Sequence, residues 1–327
     1  MSLDITNRCN FRCLHCFNRS GENPIVADEL SDEELIDFAN DVATFHLYNF
    51  CFCGGEPLLR KDLMCIMAKI LVGSGSMISF VTNGSLMTPE IANDLLASGI
   101  SRAQVSLDGA RAQSYERLRG VKGSFDSAVA AIKTLRDAGF KDISVAFCPT
   151  SFNCSELEEA AVLARSLGVD EFRVQPLMML GRARQHLQEI VPSPQQYREV
   201  VRTIENLRRA YGQTMTIQWG DPVDHLIRFS SFLEHCSTFL GIKANGAIEV
   251  SPYLPITVGN VRNHKLSEYW DKGLARMWRI KEAKELAQRV SSVEDMGKTE
   301  IDMPSVWYEN DIALDLIDDG LIGEEVM

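Results

Sequence analysis

Three cysteines close to the start of the chain restrict what this protein can be more than any other feature. Cys9, Cys13 and Cys16 form a C-x3-C-x2-C run, here called the cysteine triad, directly after a short apolar segment. Three thiolates at this spacing can hold three corners of a [4Fe–4S] cube, whereas iron–sulfur clusters normally have four cysteine ligands. A missing fourth ligand leaves one iron open, and an open metal position is where a substrate or cofactor binds. The triad therefore predicts a reactive cluster.

A zinc site is the alternative interpretation of the same run. Short cysteine runs often bind zinc, but a structural zinc ion needs four ligands, usually from two paired knuckles. His15 lies between two of the cysteines, so we do not expect it to reach the same ion. No second C-x2-C pair follows in the sequence, which favours the iron–sulfur cluster.

A second motif follows the triad after about forty residues, where an apolar run leads into Gly-Gly-Glu-Pro. The glycines allow close backbone approach, and the glutamate offers oxygen atoms to a cationic amine. After a cysteine triad, this motif resembles the radical S-adenosylmethionine (SAM) family. In that family the open iron chelates the methionine part of SAM, and this strand end holds its amino group. The resemblance assigns that role to Gly54, Gly55, Glu56 and Pro57.

Further matches to the family follow in the same order along the chain. Thr82-Asn83-Gly84 resembles the end of the third strand, so the resemblance places Thr82 and Asn83 by the SAM ribose. Ser106 and Arg119 match positions that contact SAM, and we expect them to hold its carboxylate. Gln175-Pro176-Leu177 and Gly181-Arg182-Ala183 resemble a segment of the subgroup with a SPASM or twitch extension. The likeness covers residues 2–185 strongly and 236–270 weakly.

Length, charge and cysteine usage narrow the class of protein further. The 327 residues suit one large domain with at most a small appendage, and 45% hydrophobic residues support a real core. A net charge of −12 argues against a nucleic-acid partner. No apolar run reaches the roughly 20 residues of a membrane span, and no signal peptide precedes the triad. Nine cysteines, three of them in the triad, fit a reducing cytoplasm.

Predicted strands and helices alternate through the first part of the chain. Six strand–helix units are too few for a closed eight-unit barrel, and alternation implies a parallel sheet with helices outside. We predict an α/β fold, an open (βα)6 partial TIM barrel with a small C-terminal β-hairpin and helix extension. The motifs fall at strand C-termini, where such folds place ligands. Helix starts are predicted at a Ser31 capping box, at Thr88 and at Ser124.

The chain divides into four predicted segments: 1–190, the partial barrel; 191–235, a connecting helix and strand; 236–290, a twitch-like or SPASM-like extension; and 291–327, an acidic tail. Ala244-Asn245-Gly246 between two apolar runs is a hairpin signal. We expect one last helix around residues 312–317. Because the sequence opens inside the first strand, we expect the natural start upstream, and no N-terminal peptide-recognition domain in this chain.

The cysteines outside the triad depart from the family pattern. Extensions that carry an auxiliary cluster have cysteines around the hairpin, but here only Cys236 is present and Ser251-Pro252-Tyr253 occupies the second position. We predict one cluster, with the hairpin serving as a lid over the substrate. Cys236 is a candidate hydrogen-atom donor, although a core thiol or a relic explains it too. Cys51 and Cys53 share one strand face, and with Cys65 they suit buried apolar positions.

The resemblance implies reductive cleavage of SAM to a 5′-deoxyadenosyl radical, which takes hydrogen from a substrate carbon. An external one-electron reductant of the flavodoxin or ferredoxin type would supply the electron. The extension favours a ribosomally made peptide as substrate, by epimerisation or crosslink formation. The alternatives are a small-molecule tailoring enzyme for a sugar, aminoglycoside or nucleoside, and an inactive paralogue that serves as a binding subunit. Asp108 is either a substrate contact or a turn cap.

Overall fold

One open sheet of eleven strands organises the computed structural model, which describes residues 1–22, 27–296, 298 and 311–321. The strand order is β11-β10-β9-β8-β1-β2-β3-β4-β5-β6-β7, and the outermost strands do not pair with each other. The strands are β1 (Ser2–Thr6), β2 (Asn49–Gly54), β3 (Met77–Thr82), β4 (Ile100–Ser106), β5 (Asp142–Phe147), β6 (Glu171–Val174), β7 (Thr216–Trp219), β8 (Gly241–Ile242), β9 (Ala247–Glu249), β10 (Ile256–Asn260) and β11 (Ile312–Ala313). From β1 to β7 every pairing is parallel. The predicted open α/β partial barrel is confirmed.

Helices connect the parallel strands, as a parallel sheet requires. They are α1 (Asp32–Ala43), α2 (Lys61–Gly73), α3 (Pro89–Ala97), α4 (Ala112–Arg119), α5 (Ser124–Ala138), α6 (Leu157–Ser166), α7 (Gly181–Gln185), α8 (Leu187–Ile190), α9 (Pro194–Tyr211), α10 (Pro222–Ser231), α11 (Leu266–Asp271) and α12 (Lys281–Arg289). In the part of the chain that the structure describes, no helix combines the length and the apolar character that a bilayer crossing requires.

Capping side chains explain where several helices begin. The Ser31 hydroxyl accepts from the Glu34 backbone N–H at 3.2 Å while the Glu34 carboxylate accepts from the Ser31 N–H, so the predicted capping box is present. Thr88 caps α3 as predicted. The prediction for Ser124 is wrong by one position, because Gly123 is the N-cap residue in a left-handed conformation. The Ser124 hydroxyl instead donates to the carbonyl of Val121 at 2.6 Å.

The two faces of the parallel strands differ in chemistry, and this difference creates the site. One face carries large apolar side chains such as Phe50, Phe52 and Phe80, all fully buried in the main core. The alternate positions carry small or polar residues that keep some exposure, including Cys53 and Ser106. Parallel sheets are usually apolar on both faces. The polar face of these strands therefore indicates a surface that contacts solvent or a ligand.

The region after β6 extends the same sheet instead of standing apart from it. Helix α9 leads into β7, and Phe172 of β6 pairs with Ile217 of β7 in parallel register. On the opposite side, Leu3 of β1 pairs with Ile242 of β8, also in parallel. The boundaries that we set at residues 190, 235 and 290 stay a prediction.

The C-terminal hairpin is present where the sequence predicts it, but the tail differs. Strands β8 and β9 are antiparallel, with Gly246 at φ +88° in the turn between them. The helix expected around residues 312–317 is wrong, because Ile312 and Ala313 form β11 against β10. The carboxylate of Asp315 then accepts from the backbone N–H groups of Ile317 and Asp318, which closes a turn in place of a helix.

Candidate active site

A cavity of about 430 Å³ lies along the polar face and the C-terminal edge of the parallel strands. This volume is within the range of small-molecule sites, roughly 300–1,000 Å³. The cavity brings together most of the residues singled out in the sequence: Cys9, Cys13, Cys16, Gly54, Gly55, Thr82, Asn83, Ser106, Asp108 and Arg119. Residues spread over more than 100 positions therefore share one pocket.

The three triad sulfurs each accept a hydrogen bond in the loop after β1. Backbone N–H groups donate to Cys9 Sγ (from Phe11, 3.4 Å) and to Cys16 Sγ (from Ser20, 3.4 Å). The Arg119 guanidinium donates to Cys13 Sγ at 3.7 Å. Burial raises the pKa of the Cys13 thiol to about 11, whereas a coordinating metal deprotonates a thiol outright. Donors to the sulfurs stabilise the charged form that a cluster needs.

Gly54 and Gly55 let the end of β2 pack directly against the backbone of the triad loop. A Cβ atom on Gly54 would collide with the Thr6 carbonyl oxygen, and one on Gly55 with that of Arg8. Backbone bonds run across this contact, from the Gly55 N–H to Thr6 at 2.8 Å and from the Glu56 N–H to Arg8 at 2.9 Å. The two glycines are therefore required for the loop position, in addition to any contact with SAM.

A second clamp on the triad loop comes from the start of α7, far along the chain. Gly181 has φ +55°, and a Cβ atom there would collide with the carbonyl of Phe17. The Arg182 N–H donates to Cys16 O at 2.9 Å, and its guanidinium donates to Cys13 O at 3.0 Å. In the sequence, Gly181-Arg182-Ala183 served only as a mark of resemblance. In the structure, Gly181 allows the close approach and Arg182 binds the carbonyls of two triad cysteines.

The glycine clamp leads to a first prediction. We expect Gly181→Ala to lower the iron retained after anaerobic reconstitution well below about four atoms per chain, because the new Cβ displaces the loop that carries Cys16. The matched control is Gly73→Ala, where a Cβ meets nothing within 4 Å. Iron and sulfide determination on both variants, with circular dichroism as a check on folding, measures the effect. Full iron content in Gly181→Ala would show that the loop does not need this glycine.

Glu56 does not line the cavity, nor does Pro57. The Glu56 carboxylate is fully buried and accepts from Thr82 Oγ1 and from the Asn83 N–H, both at 2.8 Å. Burial raises its pKa to about 7. Glu56 thus ties the end of β2 to the end of β3, and Pro57 begins a 3₁₀ turn behind it. Of the Gly-Gly-Glu-Pro motif, the two glycines line the cavity and the other two residues do not.

Asn83 and Ser106 stand at the ends of neighbouring strands, as expected for ligand contacts. The Asn83 side-chain amide donates to Asn10 Oδ1 at 2.9 Å, which links β3 to the triad loop. Ser106 closes β4, and its carbonyl accepts from the hydroxyl of Tyr115 on α4 at 3.1 Å. Both residues line the cavity. Their contacts with SAM remain predictions.

Arg119 and Asp108 form a buried ion pair beside the triad. Their exposed fractions are 8% and 1%. The other Asp108 oxygen accepts from the Cys148 N–H at 2.7 Å, and His15 Nε2 lies 3.6 Å from the carboxylate. Burial lowers the pKa of His15 to about 4, so its ring is neutral. The sequence predicted either a substrate contact or a turn cap for Asp108. Its contacts in the structure are those of a partner that positions Arg119.

The remaining cysteines separate into cavity and non-cavity positions. Cys236 is exposed after α10, and it is not among the described residues that line the cavity, which counts against a role as hydrogen-atom donor. Cys53 and Cys148 do line it, and Cys53 Sγ lies 3.5 Å from Cys51 Sγ. Cys65 packs against the main core, as predicted.

The donor set fits a [4Fe–4S] cluster together with SAM. The three thiols line one cavity, and each sulfur accepts a hydrogen bond. Arg119 Nε is buried and has no partner among the described residues, so the guanidinium retains a donor for an anionic group. When bound, the cluster supplies the electron that cleaves SAM. The chain itself holds and orients both groups.

Sequence comparisons agree with this geometry. Residues 3–164 match the family model described as the Radical SAM superfamily. The AdoMet-dependent heme synthase of Methanosarcina barkeri (strain Fusaro / DSM 804) is 27% identical over 82% of this chain and 80% of that protein. Mycofactocin maturase MftC of Mycolicibacterium smegmatis is 33% identical over 61% of this chain. The match spans half of the length of that maturase.

Comparison with solved structures gives the same architecture. Streptococcus suis SuiB bound to S-adenosylmethionine superposes with a TM-score of 0.66, covering 94% of this chain and 75% of SuiB. At 14% identity this likeness concerns the fold alone. The family match covers the triad, Gly54 and Gly55, Ser106 and Arg119, and all of these residues also line the cavity. The chain therefore belongs to the radical SAM superfamily and is an enzyme of the kind that works with a [4Fe–4S] cluster and SAM.

Proposed function

We propose that this radical SAM enzyme modifies a ribosomally made peptide, by epimerisation or by forming a crosslink. The observation that carries the proposal is the way the C-terminal hairpin closes one side of the cavity. Phe239, Lys243, Glu249, Pro252 and Tyr253 line it from that side. A space of about 430 Å³ that also receives the cluster and SAM is small for a bulky substrate. A peptide can present one residue to such a space while the rest stays outside.

The proposed roles of the cofactor residues follow from their places around the cavity. Cys9, Cys13 and Cys16 would hold the cluster, and the backbone of Gly54 and Gly55 would meet the methionine part of SAM. Ser106 and Arg119 would hold its carboxylate, for which a guanidinium offers a bidentate fork. Thr82 and Asn83 would meet the ribose. A closed wall on the hairpin side protects a radical from water, so the hairpin acts as part of the sheet wall rather than as a separate lid.

Solved structures of related fold support a peptide substrate. SuiB has been solved bound to a precursor peptide, SuiA, and anSMEcpe with bound AdoMet and a peptide. A twitch-like extension, as proposed from the sequence, agrees with the hairpin, β10 and α11 that follow one another here. Membership in an enzyme family counts against the alternative of an inactive binding subunit. The sugar, aminoglycoside and nucleoside alternatives have no specific support from this cavity.

A tetrapyrrole is the second candidate substrate, because the heme synthase relative matches more of this chain than the maturase does. The two acidic residues at the hairpin end of the cavity argue against it. Asp4 and Glu249 line the pocket, and acidic groups would repel the carboxylates of a porphyrin. The small volume also favours one side chain over a rigid macrocycle.

The test is a reaction in D₂O with the anaerobically reconstituted enzyme, SAM and a one-electron reductant. The substrate is a synthetic peptide copied from a short reading frame beside the gene, with iron coproporphyrin III in a parallel reaction. Epimerisation would add one solvent deuterium to the peptide, and crosslinking would remove two hydrogens from it. Conversion of the porphyrin with an unchanged peptide would refute the proposal and favour the second candidate.

A further inference from the structure

We propose that Glu249, together with Asp4, forms a binding site for a cationic group of the substrate, an ammonium or a guanidinium, on the hairpin side of the active cavity. This inference rests on the proposed function, in which a side chain of the substrate enters the cavity. The residues around the cofactors do not determine the chemical class of this substrate group. No residue of the cluster or SAM sites takes part in it.

The position of Glu249 follows from strand register. In the antiparallel pair of β8 and β9, Glu249 stands opposite Gly241, and Gly241 pairs in turn with Ser2 of β1. A Cβ atom on Gly241 would collide with Glu249 Oε1. The carboxylate therefore lies directly over Gly241, across the bare strand and towards β1. Asp4 shares the face of Ser2, and these two residues line the cavity together with Glu249.

Glu249 is half-buried, and its carboxylate has no partner of its own among the described residues. Within the described ranges, no hydrogen bond or ion pair to its carboxylate is found. Burial raises the pKa of Glu249 to about 7, with the charges of Asp4 and Asp311 adding to the effect and Lys243 opposing it. A partly desolvated carboxylate without a partner is costly. An incoming donor or cation would remove that cost.

The charges that face Glu249 favour a cation over an anion. Lys243 is 3% exposed and pairs with Asp311, which comes just before β11, so its charge is already compensated. Asp4 on β1 adds a second carboxylate. Tyr253 and Cys53 also face Glu249 and are acids, not cations. Arg173, whose charge acts on Tyr253, does not line the cavity. Two carboxylates, those of Glu249 and Asp4, therefore line this end of the cavity, and the lysine beside them is already paired with Asp311, so a substrate cation suits this end better than an anion.

The site should respond to pH in a defined direction. Because the pKa of Glu249 is raised to about 7, a large share of the carboxyl is protonated at pH 6 and most is ionised at pH 8. A bound cation favours the ionised form. The affinity for a cationic ligand should therefore rise from pH 6 to pH 8, by about tenfold for one group of this pKa.

The experiment uses two probes that differ in one charge, acetyl-lysine amide and acetyl-norleucine amide. Isothermal titration of each into the reconstituted holoenzyme with SAM measures binding without any turnover. We expect the lysine amide to bind about ten- to a hundredfold more tightly, as for hydrogen bonds to a charged group. In Glu249→Gln that preference should fall to within about twofold, and the pH dependence should vanish. Glu282→Gln, an exposed acid on α12, is the control and should behave as wild type.

A second variant tests position rather than charge. Gly241→Ala keeps the carboxylate but pushes it aside, so the lysine preference should fall although the charge remains; Gly73→Ala is its control. Equal binding of both probes, no binding of either, or an unchanged preference in both variants would overturn the proposal. Since SAM cleavage is not needed, a failure here differs from a failure of the peptide reaction described above.

Discussion

Replacement of Cys13 by alanine is expected to lower the release of 5′-deoxyadenosine by about three orders of magnitude or more, because the cofactor carries the radical chemistry. Two thiolates cannot retain a cube that normally needs at least three protein ligands here. Cys13 is also the most enclosed of the triad, at 7% exposed, and it receives the Arg119 hydrogen bond. The measurement is product release after anaerobic iron–sulfide reconstitution and dithionite reduction, with an iron count on the same samples.

The matched control is Cys65→Ala, which removes a thiol of α2 whose Sγ lies 3.8 Å from the carbonyl of Asp94. It should keep both iron and product. About four irons in the wild type agree with one cluster, whereas about eight would contradict the prediction that the extension carries none. Zinc in place of iron, with no product from the wild type, would contradict the assignment of the triad to a cluster.

Breaking the buried pair of Arg119 and Asp108 should have the largest effect on stability. In Arg119→Met the Asp108 carboxylate stays buried at 1% exposure without its cation. Removing one partner of such a pair typically costs about 3–5 kcal/mol in the free energy of unfolding. The same change should also weaken SAM binding, since the guanidinium is the proposed carboxylate contact. Urea denaturation and equilibrium binding of SAM measure the two effects separately.

A double variant separates structure from binding at this pair. Arg119→Met with Asp108→Asn removes both charges, and the asparagine oxygen can still accept from the Cys148 N–H. We expect most of the stability to return while SAM binding stays weak. The exposed pair of Arg228 and Asp224 is the control, because Arg228→Met should change little at a solvated helix surface. Recovery of SAM binding in the double variant would refute the assigned role of Arg119.

The active cavity has two ends of different chemistry. At the cluster end, donors converge on sulfur and Arg119 carries a positive charge. At the hairpin end, the carboxylates of Glu249 and Asp4 line the cavity. A single side chain that enters between them would be held by its charged tip at one end while its attacked carbon faces SAM at the other. This division explains why cofactor residues could be named from motifs and substrate residues could not.

Local signals in the sequence determined much of this protein. The triad spacing, the Gly-Gly-Glu-Pro motif and the alternation of apolar residues depend on neighbours within a few positions, and so do caps such as Ser31 and Thr88. The caps predicted the starts of α1 and α3 as they are observed. Helix α4 was missed, because Arg111 at its N-cap makes no capping hydrogen bond and so gives no start signal.

Only the tertiary structure decided which distant groups meet. Arg182 holds the carbonyl of Cys13 from 169 positions away, and Glu56 turns from the cavity to bind the end of β3. Asp108 becomes the partner of Arg119, and Glu249 reaches the cavity because Gly241 lets it cross β8. The predicted tail helix became β11 because β10 offered an open edge. Such contacts depend on burial and register across the sheet, which residues near in sequence cannot encode.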